Sequence, residues 1–106
     1  MATEIGIRHY CCYKCRNLIS LHDDIISRTF RSGHGRAYLF SHAKNIVLGP
    51  LEERLLITGV HTVADAFCRE CGELLGIRYE KAVEERQKYK EGKFMIAKVK
   101  IDMEAW

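Results

Sequence analysis

Two Cys-x-x-Cys pairs, Cys12/Cys15 and Cys68/Cys71, constrain this chain more than any other feature, and residues 16–67 separate them. Two residues between cysteines let one tight turn aim both sulfurs at a single ion. Two such turns complete a tetrahedral shell of four sulfurs. Zinc is the cation that shell favours; iron also accepts four sulfurs and is the weaker reading. Four protein ligands leave no position for water or substrate, so one structural Zn²⁺ is expected, contributing on the order of 10 kcal/mol to folding. The long separation is unlike a compact zinc finger or ribbon, and the ion should instead clamp the two ends of a β-sheet domain.

A length of 106 residues has room for one domain over 1–106, with a core over about 8–101. Hydrophobic residues at 47% and charged ones at 29% are the balance of a chain that buries a core. No apolar stretch approaches the roughly 20 residues of a membrane span, and residues 1–5 lack the basic-then-apolar order of a secretory signal. Five cysteines in such a chain read as metal ligands and thiols of a reducing, intracellular compartment rather than as disulfides. The formal charge of +3 would fall to +1 once four thiolates and one Zn²⁺ are counted. That argues against nucleic acid, which needs several clustered cations.

The pattern along the chain is mainly β with one short helix. Residues 5–10 read as a strand entering the first cysteine turn, and residues 37–40 as a buried strand. Residues 45–48 form a short strand ended by Gly49-Pro50, and residues 52–54 a solvated charged segment. Residues 55–58 and 61–67 flank Gly59 and should pair antiparallel, the second leading into Cys68. Residues 74–79 read as another strand. The helix is placed at residues 81–90, with a Glu84–Lys88 pair and Gly92 to end it. Residues 93–101 read as a final strand broken by a bulge, because Phe94 and Ile96 alternate in one phase and Val99 and Ile101 in the other.

Strand alternation sends Cys11 to the opposite side from Cys12, so it reads as a small buried hydrophobe and not a fifth ligand. His9, His22, His34 and His42 have no partner spacing and read as surface or hydrogen-bonding residues. His61, on the strand into the second cysteine turn, reads as a structural histidine or a pocket wall. Tyr38, Phe40, His61 and Tyr79 are the groups to place near a pocket, and core packing accounts for them equally well.

Beyond the cysteines, the spacing of Gly35, Leu39, Asn45, Gly59 and Gly76 resembles that of the Yippee-like family. The segments Gly35-Arg36-Ala37-Tyr38-Leu39-Phe40, Gly49-Pro50-Leu51-Glu52-Glu53-Arg54, Thr58-Gly59-Val60-His61-Thr62-Val63-Ala64-Asp65 and Gln87-Lys88-Tyr89-Lys90-Glu91-Gly92-Lys93-Phe94 resemble the Yippee-like family over residues 10–101. His22-Asp23-Asp24-Ile25-Ile26-Ser27 is most similar to plant members. The resemblance implies a β-tent fold, shared with the thalidomide-binding domain of cereblon, the Mis18 centromere proteins and methionine sulfoxide reductase B. It also implies a regulatory protein-interaction or adaptor module of the nucleus and/or cytoplasm, with a multisubunit ubiquitin ligase among its implied partners.

Two alternatives follow from the same fold. A cereblon-like ligand pocket would use the candidate residues above together with Ile77, but Gly76-Ile77-Arg78-Tyr79 stands where the family usually has Gly-Trp-Lys-Tyr, so an aromatic wall is lost. A methionine sulfoxide reductase needs a nucleophilic cysteine on a strand after the second pair, and none follows Cys71. An enzyme is not expected.

Overall fold

The structure is a computed structural model and describes residues 6–105. Among these residues ten strands form two antiparallel sheets: β1 (Arg8–Cys12), β2 (Leu18–Leu21), β3 (Ile25–Ser32), β4 (Gly35–Phe40), β5 (Ile46–Leu48), β6 (Glu52–Leu56), β7 (Gly59–Cys68), β8 (Leu74–Ala82), β9 (Phe94–Ala97) and β10 (Ile101–Ala105). The smaller sheet has the order β10-β1-β2. The larger runs β3-β4-β9-β8-β7-β5, and β6 also pairs with β7. β5 takes the Cys68 end of β7 and β6 the Gly59 end, so two short strands share one long edge.

Both faces of the larger sheet bury apolar side chains. On one face Phe40, Leu75, Cys68 and Ile96 meet Tyr10, Cys12, Ile19 and Ile101 of the smaller sheet. On the other, Ala37, Leu39, Val63, Ile77, Tyr79 and Met95 cluster with Phe30 and Leu56 against them. Simple alternation along β8 would put Leu75 and Ile77 on the same face. A register shift against β7 at Ala66/Phe67 inserts one residue and sends them to opposite faces.

The short helix is present but shorter and tighter than the sequence pattern predicts. Lys81 and Ala82 continue β8, where Ala82 pairs with His61 and is buried, and a 3-10 turn occupies Glu85–Lys90. Glu84 offers no side-chain cap, and Lys88 reaches back to the Ala82 carbonyl at 2.9 Å and to Glu91, not to Glu84. The final strand is likewise two strands in two sheets. A 3-10 turn at Lys98–Lys100 separates β9 from β10, and Ile96 and Ile101 from either side of it enter the same core. The change of apolar phase therefore marks a crossing between sheets and not a bulge. Residues 52–54, read as a solvated charged segment, are the first half of β6, and Ile5 and Trp106 lie outside the described residues.

Candidate metal centre

Each cysteine pair sits where a strand gives way to a turn, and the two turns are built alike. Cys12 ends β1 and Cys68 ends β7. In the first turn the Arg16 N–H donates to the Cys12 carbonyl at 2.9 Å; in the second Gly72 does the same to Cys68 at 2.8 Å. Both closing residues take the left-handed backbone, Gly72 at φ 76° without cost and Arg16 at φ 69° against its preference. The Cys12 N–H then donates to Asn17 and the Cys68 N–H to Glu73, so both turns are locked at both ends.

The turns bring Cys12, Cys15, Cys68 and Cys71 together, with all four Sγ atoms within 4.8 Å of one another. Cys12 Sγ lies 3.7 Å from Cys71 Sγ, and Cys15 Sγ lies 3.4 Å from Cys68 Sγ. A regular tetrahedron with Zn–S bonds near ~2.3 Å has edges of ~3.8 Å, so the donor set and its size suit one zinc ion. Cys12 and Cys68 are fully buried, and Cys15 and Cys71 form the outer edge.

Thiol chemistry gives the same reading. Burial opposes the Cys68 thiolate, but the N–H groups of Cys71 and Glu70, the Cys15 thiol and the Asn17 amide outweigh it and bring the group to about 7. Burial holds Cys12 up. At Cys15 the Asn17 N–H favours the thiolate, yet burial and the neighbouring thiols push it up to about 12. One thiolate forms readily here, and four coexist only around a cation.

Glu73 ties the two turns to each other, a role the sequence does not show. Its carboxylate accepts from Lys100 Nζ at 2.7 Å, Tyr13 OH at 3.0 Å and Lys14 Nζ at 3.4 Å, joining the second turn to the first and to the β9–β10 crossing. The Lys100 hydrogen bond, followed by that of Tyr13, holds the carboxyl down to about 2. A depressed carboxylate contributes above its ordinary value of about 4.5 and loses that contribution as pH falls toward 2. Glu73→Gln should therefore surrender zinc faster to a chelator, with the same difference at pH 7 and pH 5. Equal release rates for variant and wild type would show that Glu73 does not clamp the turns.

A family profile described as Yippee zinc-binding/DNA-binding/Mis18, centromere assembly, matches residues 9–105. The chain belongs to the Yippee–Mis18 family. A yippee-like protein of Arabidopsis thaliana is 59% identical over 106 residues, all of both chains. Human yippee-like 4 is 53% identical over 89 residues, 84% of this chain and 70% of that protein. The crystal structure of the Mis18 "Yippee-like" domain superposes with a TM-score of 0.74 over 92% of this chain and 95% of that one, at 13% identity. At so low an identity this last likeness speaks to the fold, and the mainly β architecture expected of a Yippee chain is the one observed.

The five candidate pocket residues of this Yippee chain do not line one pocket. Ile77 and Tyr79 face a cleft of about 900 Å³ that is also lined by Phe30, Leu56, Tyr89 and Lys90. Tyr38 and Phe40 lie on the other face of the sheet, packed edge-to-face with Tyr10. His61 is fully buried behind Tyr79, its Nδ1 bonded to the Gly59 carbonyl at 2.9 Å. His22 bonds Tyr10 OH at 3.0 Å, and His34 and His42 lie at the surface. His9 takes the hydrogen-bonding half of its reading, buried at 2% exposure on β1 with Nδ1 3.1 Å from the Ile7 carbonyl.

Proposed function

We propose that this protein is a zinc-stabilised protein-interaction module and not an enzyme. The observation that carries the reading is the β6–β7 hairpin, an apolar edge with no strand beyond it among the described residues. Leu55 is 81% exposed and Ile57 wholly so, and Leu51, Val60 and Val83 are exposed nearby in the chain or across the pairing. Exposed apolar side chains grouped in this way mark a binding surface. The metal site supports the same view, because four sulfurs around one ion leave no open coordination position. The multisubunit ubiquitin ligase implied by the family resemblance is one partner class this edge would suit.

Leu55→Glu combined with Ile57→Glu should keep the zinc content and melting curve of the wild type. The discrete set of proteins that co-purifies with the wild type from its native cells should drop at least tenfold, the scale expected when a central apolar anchor of an interface is removed. An unchanged set would count against the hairpin as the binding surface.

The second reading, a small-ligand pocket, has the 900 Å³ cleft in its favour. Its aromatic faces are already taken by the protein itself. Lys90 Nζ sits 5.0 Å from the Phe30 ring centre and 5.3 Å from that of Tyr79, and donates to Thr58 Oγ1 at 3.1 Å. A cationic ligand would have to displace a buried ammonium from its own cation–π partners, which places this reading second.

A further inference from the structure

We propose that His9, Cys11 and Glu104 form a second metal site, separate from the four-cysteine centre, for a borderline divalent cation of the zinc class. β1 pairs with β10 so that His9 lies directly across from Glu104 and Cys11 across from Asp102. Alternation then places His9, Cys11 and Glu104 on one face, while Tyr10 and Cys12 face the core and the first site. This cluster lies on a different side of the strand and adds no fifth ligand to the first ion.

One donor atom from each residue converges there, all within 4.8 Å of one another. Glu104 Oε1 is 3.6 Å from Cys11 Sγ and 3.8 Å from His9 Nε2. Bonds of roughly 2.0–2.3 Å to nitrogen, oxygen and sulfur put ligand atoms about 3.3–3.8 Å apart, so an ion would draw the set only slightly together. His9 and Cys11 are 2% and 3% exposed, and both are held by backbone pairing on each side of β1.

The groups behind the donors are arranged as metal sites require. His9 Nδ1 lies 3.1 Å from the Ile7 carbonyl, which accepts its proton and directs Nε2, the ligating nitrogen, toward Glu104. Glu104 divides its oxygens: Oε2 pairs with Arg16 and leaves Oε1 turned inward. Arg16 in turn donates to Asp102 at 2.8 Å, fixing the outer edge of the site. Glu104 and Asp102 bring two negative charges against the one positive charge of Arg16, a balance that favours a cation beside the donors. Nitrogen, sulfur and oxygen donors together select zinc or cobalt over magnesium and calcium. Glu104 is 41% exposed, so a fourth position faces solvent and accepts water or a small anion. Unlike the four-sulfur centre, this site is open.

The test adds Co²⁺ to the full-length protein already holding one equivalent of zinc. Uptake of a second equivalent is expected, with the sulfur-to-cobalt charge-transfer band of a single thiolate. Cys11→Ser should abolish that band and keep the first zinc. Glu104→Gln, at a half-exposed position where folding is not at stake, should weaken the second ion by at least about 10-fold, the low end of what losing even a supporting group costs. Total uptake of one equivalent by the wild type would overturn the proposal. So would a second ion bound equally well by both variants. Loss of the four-cysteine ion would instead appear as zero equivalents of zinc at the outset, so the two sites are read separately.

Discussion

Cys68→Ser should leave the chain without a cooperative melting transition and without bound zinc. Cys68 is the fully buried ligand at the end of β7, the strand that pairs with β5, β6 and β8, and its sulfur also takes the Asn17 amide at 3.8 Å. A serine hydroxyl there is a poor zinc ligand and becomes a buried polar group between the two turns. A structural zinc contributes on the order of 10 kcal/mol, about the whole net stability of a domain this size. Its loss therefore removes the fold and does not merely soften it. Circular dichroism on heating, with metal analysis of the same sample, makes the check, and a chelator should reproduce the result on the wild type. A serine variant with the wild-type melting curve would show that the four-cysteine centre is not structural.

The residues of the metal centre are the most legible part of the sequence because their chemistry is local. A turn of four residues sets both sulfurs of a pair, and nothing distant has to be known. The strands around them are legible for the same reason: Ala37 to Phe40, Ile46 to Leu48 and the two runs flanking Gly59 carry their own alternation and turn signals. Structure departs from pattern where a tertiary partner outweighs local preference. Lys81 and Ala82 are acceptable helix residues, yet pairing with Thr62 and His61 holds them in β8. Lys90 is drawn to 4% exposure by Phe30, Tyr79 and Thr58, which shortens the helix to two tight turns.

The candidate pocket residues separate for a related reason. Alternation places Tyr38 and Phe40 together correctly, but which face of the sheet each strand offers to the smaller sheet depends on the shift at Ala66/Phe67 and on the crossing at Lys98–Lys100. Neither feature has a turn residue to announce it. Glu73, which joins the two cysteine turns, and Glu104, which meets His9 from the far end of the chain, are invisible in the sequence because a carboxylate finds its cation or thiol through strand order alone. No membrane-crossing helix occurs among the described residues.

Gly76→Ala is expected to cost more than any other conservative change to the apolar core. Gly76 does not need its freedom for a turn; it sits in mid-strand on β8, paired with Ala66 of β7 and Ile96 of β9. A Cβ built there meets the backbone of β9, lying 2.9 Å from Ile96 Cα and closer still to the Met95 carbonyl oxygen. Backbone cannot rotate out of the way as a side chain can, so β8 and β9 must separate along their ladder. That separation opens both cores at once, because Leu75 and Ile96 meet on one face and Ile77 and Met95 on the other. Such a clash belongs among the changes that cost more than about 4 kcal/mol. At about 4–8 °C per kcal/mol for a domain near this size, the melting temperature should fall by at least about 16 °C. Gly33→Ala is the matched control: its Cβ would meet nothing within 4 Å, and the melting temperature should stay within a few degrees of wild type. The four-cysteine cluster lies outside the β8–β9 ladder, so the Gly76 variant should still carry one equivalent of metal at low temperature and lose it only on melting. A drop of less than about 4 °C would mean that β9 yields at Ile96, and the close approach of the two strands would then not be what holds the faces of the sheet together.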